Sequence, residues 1–68
     1  MKIKIKDAAR IMEVSEQFVR IGLQRKLFPF GFAIRLYLGQ KYTYFISPAR
    51  FAEYMGLTMQ ELEKRCEQ

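Results

Sequence analysis

The sequence predicts a mostly helical α+β fold in which one β-hairpin interrupts four helices, and three observations carry that expectation. Ser15 opens a segment with Val19 and Leu23 at helical spacing that must stop by Pro29, which cannot continue a helix. After Pro29-Phe30-Gly31 the period changes from helical to alternating, and residues 32–46 read as a hairpin. Ser47-Pro48 then restarts a helix, a capping hydroxyl followed by a proline already at helical φ.

Each element follows in order. Lys2 to Ile5 reads as a short strand or a lead-in. Residues 5–13 fit a first helix with Ile5, Ala8, Ala9 and Met12 on one side. Lys4 falls at its N-cap position and is a poor cap, having no acceptor. After a turn near Glu13-Val14 comes a second helix of about three turns. There Val19 and Leu23 face inward, Gly22 allows close helix approach, and Leu27 and Phe28 seal the end. In the hairpin, Phe32, Ile34 and Leu36 share one face, with Ala33, Arg35 and Tyr37 on the other. Leu38-Gly39-Gln40-Lys41 is the turn, and Tyr42, Tyr44 and Ile46 alternate with Thr43 and Phe45. The third helix carries Phe51, Ala52 and Met55 inward and closes at Gly56. Thr58-Met59-Gln60-Glu61 is a capping box, with Leu57 and Leu62 placed as its hydrophobic staple, so helix is expected to about residue 66. By spacing, Met12, Phe28, Phe32, Phe51 and Met55 belong to the core. Phe18 has two readings, core beneath the hairpin or contact with a thymine methyl, and core is favoured.

The chain of 68 residues is read as one domain, 1–56 forming its core and 57–68 an acidic C-terminal helix. Half of its residues are hydrophobic, too many for a disordered chain. No apolar run approaches membrane-spanning length and Met1-Lys2-Ile3-Lys4 alternates, which points to a cytoplasmic protein. The charge is uneven. Residues 1–50 hold ten Lys/Arg against three acids, +7, whereas residues 51–68 hold Lys64 and Arg65 against four Glu, −2. A basic body implies a polyanionic partner. Histidine is absent, Cys66 is the single cysteine, and neither a glycine-rich phosphate loop nor a carboxylate pair tied to a base is visible. No catalytic residue, metal site, cofactor or small-molecule substrate is therefore expected.

A helix, a turn, a polar second helix, a hairpin and a further helix make a winged helix-turn-helix, with the hairpin as wing. The residues Lys6-Asp7-Ala8-Ala9-Arg10-Ile11-Met12, Val14-Ser15, Val19, Leu27-Phe28-Pro29, the aromatic second strand and Ser47-Pro48 leading to Phe51 and Tyr54 carry a resemblance. In their order and spacing, over about residues 3–55, the chain resembles the small excisionase-like branch of the MerR-type winged helix-turn-helix proteins of phages and integrative elements. It departs from that pattern at Glu13 and Lys26, where glycine is usual, and at Phe18, where a small hydroxyl residue is common. The wing also lacks the compact basic-glycine turn of many relatives. The resemblance implies a protein that bends duplex DNA beside recombination sites and directs an integrase toward excision, or a small phage repressor.

Gln17, Arg20 and Gln24 lie on one helical face, and Arg and Gln form bidentate contacts with guanine and adenine edges, so these three are the candidate base contacts, Arg20 foremost. Exposed polar residues also need no function. Arg25 and Lys26 are candidate phosphate partners or a solvated helix end favoured by the dipole. Lys2, Lys4, Lys6 and Arg10 surround the first helix, where the resemblance places backbone contacts; the alternative is a solubilising surface. Arg35, Lys41 and Thr43, flanked by Tyr37 and Tyr42, are the candidate wing contacts to the adjacent minor groove, with single-strand stacking by the tyrosines a weaker reading. Two further readings stay open. The chain is a protein-interaction module, such as an antirepressor, without DNA binding. Alternatively, the acidic helix meets an integrase or a second copy on tandem sites, or simply folds back over the core.

Overall fold

Four helices and a two-stranded antiparallel hairpin follow one another in the computed structural model, which describes residues 1–67. Helix α1, Ile5–Met12, buries Ala8, Ala9 and Ile11. Its N-terminus is capped from inside: the Lys4 N–H donates to the Asp7 carboxylate at 3.3 Å, while the Lys4 side chain, with no acceptor, contributes nothing. The lead-in forms no strand, and Ile3 within it is buried.

Helix α2, Glu16–Gln24, begins where the Ser15 hydroxyl accepts the Phe18 N–H at 3.1 Å. It ends earlier than Pro29 requires. Lys26 takes a left-handed conformation, φ 58°, and its N–H donates to Leu23 O at 3.2 Å while the Leu27 N–H donates to Gly22 O at 2.9 Å. This is a Schellman stop, which satisfies the last carbonyls. The same arrangement ends α1 at Glu13, φ 61°, with the Val14 N–H on Ala9 O at 3.0 Å. It also ends α3 at Gly56, φ 71°, with the Leu57 N–H on Ala52 O at 2.8 Å. Because the chain turns at Lys26, Leu27 is 69% exposed and does not seal the helix.

The hairpin is shorter than its alternating pattern suggests. Strands β1, Gly31–Ile34, and β2, Thr43–Ile46, pair with Phe32 opposite Phe45 and Ala33 opposite Tyr44, leaving residues 35–42 as a loop. Residues directly opposite one another share a face. Ile46 is buried and Tyr44 packs on the core, so the same register sends Phe32 and Phe45 outward, each half exposed, with rings 5.3 Å apart. The assignment of Phe32 to the core is thereby corrected.

Phe30 takes its place, although the sequence marks it only as part of a break. It is completely buried, stacks on Phe28 at 4.9 Å, meets Phe51 edge-on at 4.9 Å and Tyr54 at 5.2 Å. Gly22 admits the Phe28 ring, into which any Cβ there would project, so the glycine serves this close approach and not a helix crossing.

Helix α3, Pro48–Met55, is capped by the Ser47 hydroxyl on the Arg50 N–H at 3.3 Å and buries Phe51 and Ala52. Helix α4, Met59–Cys66, carries the full capping box: the Glu61 N–H donates to the Thr58 hydroxyl at 3.1 Å and the Thr58 N–H to the Glu61 carboxylate at 2.9 Å. The Thr58 N–H, and after it the Thr58 hydroxyl, hold the Glu61 carboxyl below its ordinary value of 4.5. Leu62 is completely buried in the common core with Leu23, Val19, Phe30 and Phe51, so α4 is part of that core and not an appendage to it. Among the described residues no helix is long and apolar enough to cross a membrane.

Candidate nucleic-acid interface

The chemistry available to α2 follows from which side it buries. Val19, Gly22 and Leu23 are buried against the core, which turns Gln17, Arg20 and Gln24 to the opposite side. The three are not equivalent. Gln17 is exposed, and its side chain makes no hydrogen bond to another described residue. The Arg20 guanidinium meets Glu16 one turn earlier at 3.1 Å, both side chains well exposed. A surface pair of this kind is worth at most about 1 kcal/mol and is readily exchanged for another anion. Gln24 is engaged: its Nε2 donates to the Tyr44 hydroxyl at 2.7 Å, joining the end of α2 to β2. Its amide faces the hairpin before it can face a base.

Arg25 and Lys26 are exposed at the Schellman turn. Lys2, Lys4 and Lys6 are exposed around the start of α1. Arg10 is set apart from them. It bridges Asp7 at 3.3 Å and donates to the Arg65 carbonyl of α4, at 2.6 Å, where a cation complements the helix C-terminus. Its guanidinium ties α1 to α4. On the hairpin, the Arg35 guanidinium lies 4.6 Å from the centre of the Tyr42 ring, and Lys41 and Thr43 are exposed.

Two features escaped the sequence pattern. Phe18, expected in the core, is 52% exposed, its ring 6.0 Å from Phe28; with Ile21, Gly22 and Leu27 these aromatics line an apolar depression beside the polar face of α2. Phe18 lies one position before the buried Val19, and the space over Gly22 is already filled by Phe28. The second is the hairpin loop, where Leu36, Tyr37 and Leu38 stand in solvent although the alternation assigned the first two to strand faces.

Cys66, the one thiol, is half-buried near Asp7 and Arg10, and burial pushes it above its ordinary value of 9.0, which leaves it protonated and weakly nucleophilic at neutral pH.

No family model, curated protein or solved structure matches the chain.

Proposed function

We propose that the chain is a winged helix-turn-helix protein that binds duplex DNA, α2 entering the major groove and the hairpin lying against the adjacent minor groove. The observation that carries this reading is the division of α2. Val19 and Leu23 have no exposed surface while Gln17 and Arg20 look outward, as a reading helix requires. Arg20 is assigned to a guanine edge and Gln17 to a neighbouring base, with Gln24 held in reserve by Tyr44. Lys2, Lys4, Lys6, Arg25, Lys26, Arg35 and Lys41 are assigned to phosphates. All are exposed, and among the described residues none is paired with a carboxylate. Arg10, bound to Asp7 and to α4, supports a structural role better than a phosphate contact.

The sequence resemblance supports a finer role as an excisionase, directing an integrase-type recombinase, with a small transcriptional repressor as the alternative. A second class of function has its own support. The apolar depression formed by Phe18, Ile21, Leu27 and Phe28 suits a protein-interaction module without DNA binding.

A gel shift against random-sequence duplex at two salt concentrations separates the two classes. DNA binding that weakens steeply with salt supports the first; absence of binding at low salt supports the second. Arg20→Ala then tests the assignment within the first. Loss of preference at one base position marks a base contact, and an equal loss on all sequences marks a phosphate contact.

A further inference from the structure

The two most exposed large apolar side chains among the described residues, Leu38 and Leu36, sit together on the hairpin loop with Tyr37 between them. Leu36, Tyr37 and Leu38 are 80%, 68% and 84% exposed, and none of them packs on the core. Two cations, Arg35 and Lys41, bracket them in the chain. The loop is closed upon itself: the Leu36 N–H donates to the Gln40 side-chain carbonyl at 2.9 Å, the Gln40 N–H donates to Tyr37 O at 3.3 Å, and Arg35 rests on the Tyr42 ring. The apolar side chains are therefore presented by bonded backbone and do not fold back onto the strands.

We propose that Leu36 and Leu38, with Tyr37 beside them, form a wedge that enters the minor groove and partly unstacks one base step, while Arg35 and Lys41 hold the phosphates on either side. The proposal rests on the DNA-binding reading and adds a mechanism of DNA deformation to it. A loop that only clamped phosphates would need cations and no leucines. A loop that only met an apolar protein surface would gain nothing from two bracketing cations. An apolar tip between positive charges matches a ligand whose interior is stacked and apolar and whose rim is anionic, which describes a minor groove opened at a base step. The steps that open most easily are pyrimidine–purine steps, and A-tracts resist. An anionic lipid surface offers the same two chemistries, but it has no use for the outward amide and guanidinium of Gln17 and Arg20, which suit base edges.

The test uses the full chain and the Leu36→Ser/Leu38→Ser variant, whose changes touch no core residue. Two short duplexes are compared, identical except that one carries central TA steps and the other an A-tract. Both bear an end-to-end fluorescence-transfer pair, and the first also has 2-aminopurine beside a TA step. The wild-type chain is expected to bend the TA duplex, brighten the 2-aminopurine and prefer that duplex about tenfold. The variant is expected to lose all three while keeping the salt dependence, since Arg35 and Lys41 remain. Wild-type binding with a normal salt dependence but no bend and no brightening overturns the wedge and leaves DNA binding standing, as does a variant that bends DNA equally. Absence of binding to both duplexes overturns the two together. Loop-dependent binding to phosphatidylserine-containing vesicles, tighter than to either duplex, overturns the wedge in favour of a membrane ligand.

Discussion

The Gln24 side-chain amide donates to the Tyr44 hydroxyl at 2.7 Å, a bond across the gap between the last turn of α2 and the second strand of the hairpin. It fixes the angle between the two elements assigned to the two grooves. Tyr44→Phe removes the bond and keeps the ring that packs on the core, so it should cost about 0.5–1.5 kcal/mol in a denaturant melt. DNA affinity should fall by more than that stability loss explains, because the hairpin loses its orientation. An affinity unchanged by Tyr44→Phe would separate the bond from the interface.

Glu13 and Lys26 occupy left-handed positions that Gly56 fills at the end of α3. An L-residue there is strained by contact of its Cβ with the following carbonyl, a cost of about 1–2 kcal/mol, partly offset by the lower entropy of a non-glycine in the unfolded chain. Glu13→Gly and Lys26→Gly should each therefore raise stability, by about 0.5–1 kcal/mol, and Gly56→Ala should lower it. Thermal melts of the three variants check this, and a destabilised Lys26→Gly would contradict the strain argument. In DNA binding, Lys26→Gly should also remove about one counterion from the salt dependence.

These two residues show how much of the molecule was legible beforehand. The capping hydroxyls of Ser15, Ser47 and Thr58 and Pro48 write the starts of their helices locally, and those starts appear where the sequence puts them; the change of period after Gly31 marks where the hairpin begins but not how soon its strands end. A Schellman stop without glycine leaves no compositional mark, so the sequence shows Pro29 as the stop of α2 and hides the earlier one at Lys26. Alternation reveals two faces of a strand but not which is inner, and the register that sends Phe32 outward is a tertiary outcome. Phe30 was hidden because it belongs to neither period. Of the candidate site, the outward face of α2 was visible from spacing. The engagement of Gln24 with Tyr44 and of Arg10 with α4 depends on long-range packing that no local pattern records.

Leu62 has no exposed surface, so α4 contributes to the core. Leu62→Ala should cost about 2–5 kcal/mol, comparable to the entire stability of about 3–5 kcal/mol that so small a core supplies. Truncation after Gly56 should leave a chain with no cooperative melt. A truncated protein with a sharp thermal transition would show that α4 is dispensable and free for a partner.

The Glu61 carboxyl is held below its ordinary 4.5 by the Thr58 N–H, then the Thr58 hydroxyl, so its folded value lies under its unfolded one. A depressed acid stabilises the fold at pH above the unfolded value and loses that contribution as pH falls through the folded one. The stability difference between wild type and Glu61→Gln should be constant above pH 4.5 and shrink below it. A difference independent of pH across that window would mean that the charge of Glu61 has no part in the cap.

Exposed cations around α1, α2 and the hairpin are assigned to phosphate, and the salt dependence of binding to random-sequence duplex checks that assignment. Four to six contacts, drawn from the seven cations assigned to phosphate, predict a log–log slope of affinity against salt of about −4 to −5, at roughly −0.9 per contact. A slope near zero, or no binding at low salt, would contradict it.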